Sequence, residues 1–283
     1  MKKTFLAVVI GGSLAAPAMA DLRFDGYGWF GALYDDATDK TNTTSRLRLT
    51  LDGETQTDNG IELSFRLRVQ ADNGGLATFN GARFGLRSGP LRLQLGNVAG
   101  AIDSMPGLSG VEPGLTDLTG QTAALRADFD EYDNTGPGRN GVAVRYSQGQ
   151  VQVSLSHSNT GGVRRTAGHV AYFAGPGGLA IGYQVSDRAA DDDLVVLVYR
   201  HRFEWGEASL FSAREQAGNV FGASALWEGS ETTSLLASAS VDNGREQYGV
   251  GIAHDLGSSA FLETGIASDM GNVTADFGVR FEF

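Results

Sequence analysis

Residues 61–72 alternate without a break. Ile61, Leu63, Phe65, Leu67, Val69 and Ala71 fall on one side, and Glu62, Ser64, Arg66, Arg68, Gln70 and Asp72 on the other. Successive side chains of a strand point to opposite faces, so this segment makes a strand with one apolar and one charged surface. Its length exceeds the roughly 5–6 residues usual in a globular sheet and suits a tilted strand crossing a bilayer, which needs about 9–11. The pattern recurs at 45–52, where Leu47, Leu49 and Leu51 oppose Arg46, Arg48, Thr50 and Asp52. It closes the chain as well. Val273, Ala275, Phe277, Val279, Phe281 and Phe283 alternate with Thr274, Asp276, Gly278, Arg280 and Glu282. Strands of this kind fit a wall with lipid on one side and water on the other.

The same period predicts strands near 22–34, 44–54, 60–72, 77–88, 91–97, 140–148, 150–158, 166–174, 178–187, 193–205, 207–215, 218–228, 232–242, 245–255, 260–268 and 272–283. About sixteen is an even count, as bacterial single-chain barrels have. The expected fold is an all-β transmembrane antiparallel barrel spanning 21–283. Glycine-rich links such as Asp58-Asn59-Gly60, Ser88-Gly89-Pro90 and Gln148-Gly149-Gln150 have tight-turn chemistry. Links at 35–43, 159–165 and 187–192 read as longer and more polar. Alternating short and long connections fit a barrel with its short turns on the periplasmic side. Tyr27, Trp29, Tyr34, Trp205, Trp227 and Tyr248 near strand ends read as interfacial girdles.

The first twenty residues stand apart. Lys2 and Lys3 precede an apolar run from Phe5 to Ala16, and Ala18-Met19-Ala20 supplies small residues for cleavage. That reads as a secretory signal peptide over 1–20, with a run too short for a spanning helix. Export agrees with a chain without cysteine that relies on a closed hydrogen-bond ladder. The formal net charge of −11 argues against nucleic acid as a partner.

One link breaks the rhythm. Residues 98–139 carry no convincing alternation, and structureless segments of that length are usually functional or disordered. Asp103, Glu112, Asp117, Asp128, Asp130, Glu131 and Asp133 make the segment acidic, while Ile102, Met105, Leu108, Leu115 and Leu118 suggest that it packs against something. Arg46, Arg48, Arg66, Arg68 and Arg83 share the polar face of neighbouring strands and make a basic wall. Packed arginines repel one another and call for counter-charge. An acidic loop folded into the lumen would supply it, with Asp103, Glu112 and Asp117 opposite the arginines at a constriction. Asp128, Asp130, Glu131 and Asp133 also form a candidate Ca²⁺ cluster, without EF-hand spacing. No cofactor is otherwise required.

The chain resembles the general bacterial porins, in particular those of alphaproteobacteria. The resemblance covers everything after the leader. It rests on Asp21-Leu22-Arg23-Phe24-Asp25-Gly26-Tyr27-Gly28, the arginine-rich strands at 46–48 and 66–68, Leu95-Gly96-Asn97 before the long loop, and Val279-Arg280-Phe281-Glu282-Phe283. It implies a sixteen-stranded homotrimer in the outer membrane of a Gram-negative bacterium, surrounded by lipid and lipopolysaccharide, with an inward-folded third loop. It also implies that Phe283 is the terminal signal read by the outer-membrane assembly machinery. The chain is short for the family and its link near 73–76 is brief. The implied function is passive diffusion of small hydrophilic solutes and ions through a weakly cation-selective pore. The alternatives are a substrate-specific channel and, further off, a barrel hydrolase. Enzyme chemistry finds little footing: His157, His169, His201 and His254 are scattered, and none lies in a metal-ligand spacing.

Overall fold

A computed structural model describes residues 21–187 and 193–283; the leader expected at 1–20 and most of the link expected at 187–192 lie outside them. The described chain is one closed antiparallel sheet of sixteen strands. They are β1 (Asp21–Asp35), β2 (Lys40–Gln56), β3 (Glu62–Asp72), β4 in two pieces (Thr78–Phe79 and Arg83–Ser88), β5 (Leu91–Asn97) and β6 (Asn140–Gln148). There follow β7 (Val151–Thr160), β8 (Val163–Ala174), β9 (Gly177–Ser186), β10 (Leu194–Phe203) and β11 (Gly206–Glu215). The last five are β12 (Gly218–Glu228), β13 (Thr233–Asp242), β14 (Arg245–Gly257), β15 (Ala260–Asp269) and β16 (Asn272–Glu282). Each strand pairs with its neighbours in sequence, and β1 closes the ring on β16 from Tyr27↔Glu282 to Asp35↔Thr274. Gly26 and Phe283 exchange both backbone hydrogen bonds at the seam, at 2.9 and 3.0 Å. Closure leaves no open strand edge, which a bilayer would not tolerate.

Period two holds around the ring. Leu49, Phe84, Leu155, Ile181, Val250 and Phe277 lie exposed on the outer face. Tyr172, Tyr183, Tyr199, Trp205, Trp227 and Tyr248 stand on that face among them. Tyr27 and Trp29 do not join this girdle. They pair with Arg48 and Arg46 of β2 and share their inward face, and Trp29 is only 5% exposed. The misreading has a simple cause: β1 carries aromatics on both faces, Phe24 and Phe30 outward and Tyr27 and Trp29 inward.

The long-loop rim is tighter than expected. The link expected at 35–43 is a turn between Asp35 and Lys40, and the one expected at 159–165 is reduced to Gly161-Gly162 between Thr160 and Val163. Polar threonines and asparagines there suggest loop, yet Thr41, Asn42, Thr43 and Thr44 continue the ladder against β1. Threonine is β-branched and pairs well in strands. Strand β4 breaks at 80–82, where the long loop returns across it and Gly136 donates to the Phe79 carbonyl at 3.0 Å.

A candidate pore constriction

The segment between β5 and β6 folds inside the barrel, and the inner wall is shaped to receive it. Asn97 ties its two ends together: its amide donates to the Asp133 carbonyl at 2.7 Å, and its oxygen accepts from Asp133 and Arg139. On the way out, Ala101 donates to Ser156 at 2.8 Å and Val111 to Ser224 at 3.2 Å. At the far wall the Asp276 carboxylate accepts from the Leu115 and Thr116 amides and from the Thr116 hydroxyl, at 3.0, 2.7 and 2.7 Å. On the way back, Ala124 donates to Ser240 and the Arg126 and Ala127 amides to Glu215. Every one of these acceptors sits at an inward position of its strand, so buried loop backbone finds partners on a polar-spotted wall.

Apolar contacts fix the rest. Ala101, Ile102, Met105, Leu108, Ala124 and Ala127 of the loop form one buried cluster with Ala167, Ala171, Ala180, Val196, Val198, Phe211 and Val220 of β8 to β12. Each large side chain buried there contributes about 1.5–3 kcal/mol. Glycines let backbone meet backbone. A side chain at Gly222 would run into the Gln121 main chain, and one at Gly251 or Gly265 into Gly114. The loop therefore lies flat against β7 to β16, and on the other side it meets β3 and β4 mainly through its returning end at 132–136, leaving most of the inner face of β1 to β5 uncovered.

The uncovered wall is the basic one, and all five expected arginines are on it. Arg46 pairs with Asp72 at 2.5 Å, Arg48 donates to Gln70 at 2.6 Å, and Arg66 holds Asp52 through two bonds of 2.7 Å. Arg68 donates to Asn134 of the loop at 2.5 Å. Arg68 and Arg83 both stack on Tyr132, 4.9 and 4.6 Å from its ring centre. Arg46 lies over Trp29 at 5.3 Å and Arg48 over Tyr27 at 4.9 Å. Aromatic faces attract guanidinium charge and hold long side chains upright, which fixes a cationic surface in place. Arg280 completes it. Closure of the ring brings it over the other side of Tyr27, at 5.7 Å.

The loop presents its carboxylates to this wall. Asp117 lies 3.5 Å from Arg280, in a left-handed backbone conformation with φ of 58°. Burial pushes its carboxyl above the usual range, against the pull of Arg280 and Arg46. Asp103 accepts the Tyr132 amide at 3.2 Å, and burial raises it too, within the fields of Arg145 and Arg83. Glu112 is pushed up to about 7, first by burial and then by Asp117 and Glu131. Glu131 is likewise raised, by burial and then by Asp103. The expected acids thus line one margin and the arginines the other.

The candidate Ca²⁺ cluster does not converge. Asp128 and Asp130 turn to Arg165, at 2.7 and 3.5 Å, and Asp133 to Arg139 at 3.6 Å. Arginines occupy the place a cation would take, and among the described residues no three metal-ligating side chains come together. His157 bonds Thr166 at 2.9 Å on the outer face, opposite Ser156 and Ser158. His169 is buried, with its ring nitrogens toward the Ala101 carbonyl at 2.5 Å and Gln152 at 3.0 Å. Sequence reading missed Arg280, Asp276, Glu215, Tyr132 and the inward serines. Arg280 and Asp276 were within reach, since both stand on the polar side of the last alternating strand.

The family model of the Gram-negative porins matches residues 5–274. The chain belongs to the Gram-negative porin family. A porin from Fuscovulum blasticum is 27% identical to it over 93% of this chain and all of that one. Two engineered mutants of the Rhodopseudomonas blastica porin superpose with TM-scores of 0.83 and 0.82, at 23% and 24% identity. Each alignment covers 93% of this chain and 100% of the other. This porin is accordingly an integral β-barrel channel of the outer membrane, and its membership points to transport rather than catalysis.

Proposed function

We propose that this porin passes small hydrophilic solutes and ions by passive diffusion, with a weak preference for cations. One observation carries the reading: fixed arginines on β2 to β4 and β16 face the carboxylates of an internal loop across the lumen. A transverse field of that kind orients water and dipolar solutes, and penalises apolar ones that cannot exchange hydrogen bonds. Arg46 and Arg66 are each matched by a wall carboxylate. That leaves Arg48, Arg68 and Arg83 against Asp103, Glu112 and Glu131, a near balance that keeps selectivity mild. The acidic chain as a whole tips it toward cations.

The working unit is a homotrimer. Phe24, Leu63, Leu76 and Phe79 stand exposed on the outer side of β1 to β4 and its rim, Leu76 at 92%. The leader over 1–20 is removed on export, and Phe283, paired to Gly26 at the seam, serves as the terminal assembly signal. No cofactor enters this reading. The test is conductance of the purified protein in a planar bilayer under a KCl gradient. Openings in steps of three with a small reversal potential of cation sign support it. Folded, heat-modifiable barrels that pass no current would refute it, and strong anion selectivity would refute the weighting of loop against wall.

A further inference from the structure

On the short-turn side of the constriction, six lumen-facing residues stand in direct cross-strand register on β3 to β8. The row runs Glu62, Arg87, Arg92, Arg145, Ser154, His169. Three consecutive members are guanidiniums, and only the first has an ion-pair partner, Glu62 at 3.6 Å. Among the described residues, Arg92 and Arg145 have none, and the Arg145 Nε is buried without a hydrogen bond. Asp103 lies within the field of Arg145 but beyond ion-pair distance, and it already accepts the Tyr132 amide. Arg87 and Arg92 border a polar cavity of about 310 Å³ whose lining also carries the carboxylates Asp21, Asp25, Asp52, Glu54 and Glu62, and Arg145 stands outside that lining.

Like charges directly opposite on adjacent strands are destabilising, with Cβ atoms about 4.5–5.5 Å apart. Elsewhere on this wall the same problem is met by Asp52, Asp72 or an aromatic ring. Here it is left open to the solvent path. Each guanidinium offers parallel N–H donors in a fixed fork that matches tetrahedral oxyanions, whereas a halide meets only the charge. The row as a whole, three cations and one carboxylate, is balanced by two negative charges.

We propose that Arg87, Arg92 and Arg145 form a subsite, below the constriction on the short-turn side, for a compact dianion of the phosphate class, inorganic phosphate or a phosphate monoester. It rests on the open-lumen reading above. A solute of that class is drawn to the mouth and held briefly while the constriction stays open to cations.

The probe is inorganic phosphate, used in two measurements on the full-length protein. The first is broadening of the phosphate ³¹P signal on titration with detergent-solubilised protein. The second is block of KCl current when phosphate is added to either side of a bilayer. Wild type should broaden the signal, and block should be stronger from the short-turn side. R92Q/R145Q should need about tenfold more phosphate for the same effect, as expected when charge-assisted hydrogen bonds are removed. R164Q, on the outer face, should behave as wild type. Absence of broadening by wild type overturns the subsite whatever the variants do. Equal block in R92Q/R145Q overturns it as well, and stronger block by succinate overturns the phosphate class. A protein that broadens the signal but carries no current would refute the pore reading and leave the subsite standing.

Discussion

The interior of this barrel has two halves built on one backbone plan. In β1 to β4 the inward positions hold arginines, aromatics and a few carboxylates, and the wall faces water. From β7 to β16 the inward positions hold mostly serine, alanine, glycine and valine, with single charges such as Arg165, Glu215 and Asp276 bound to the loop that covers them. Strand pairing and period are the same in both. What differs is the size and charge of every second residue. Long cations propped on Tyr27, Trp29 and Tyr132 cannot be covered without burying charge, which is costly. Short side chains cannot line a water path of useful shape, but they let a second layer of chain lie close. A barrel of one wall thickness thereby becomes two layers thick on one side and one on the other, and the lumen is displaced toward the arginines.

That contrast can be broken most severely at the glycines. G222V together with G265V should unseat the loop, because each added side chain meets loop backbone. Single-channel conductance should rise several-fold, and the loop should become open to protease in detergent. Next in size is the opposite wall. R48Q/R68Q/R83Q removes the arginines without a wall carboxylate, and the reversal potential should move markedly toward ideal cation selectivity. No change would mean that the current does not pass this wall. A smaller effect is expected from D276N, which replaces the carboxylate that fixes Leu115 and Thr116. Losing the charge from those bonds should cost about 2 kcal/mol of loop seating. It should appear as faster cleavage near 112–118 while the barrel's heat-modifiable mobility is kept. The smallest effect is a titration. Glu112 gains a proton as pH falls through about 7. Cation preference should therefore be greater at pH 8 than at pH 6, and E112Q should flatten the difference at the lower level.

The basic wall was legible in the sequence because period two puts Arg46, Arg48, Arg66, Arg68 and Arg83 on one face of adjacent strands, with no knowledge of the fold beyond sequential pairing. The acidic and apolar character of 98–139 was legible as composition. Its seating was not. Asp276, Glu215, Ser224 and Ser240 meet the loop across more than 80 residues of chain, and nothing local in a serine at an inward position tells a loop anchor from a solvated wall residue. Tyr132 was lost inside a run read only for charge. Tyr27 and Trp29 were misplaced because alternation cannot choose a face when both carry rings. The carboxylates at 128–133 drew a metal reading because Arg165, the partner of Asp128 and Asp130, lies on a strand whose inner face the segment reaches only after folding.

The loop also dictates an order of events. It leaves the wall after β5, yet its tip is held by β16: Arg280 donates to the Leu115 carbonyl at 3.0 Å across 165 positions of sequence. Contacts so far apart in the chain form late, since the intervening segment must first be gathered. Until the final hairpin arrives, the tip has neither Asp276 nor Arg280 to rest on, and the bore is wide. The sieve is therefore made by the same event that seals the cylinder, and a half-zipped intermediate is both open at the side and unfiltered in the middle. Selection against leakiness would fall on how fast the last two strands dock, a property invisible in the finished channel's conductance.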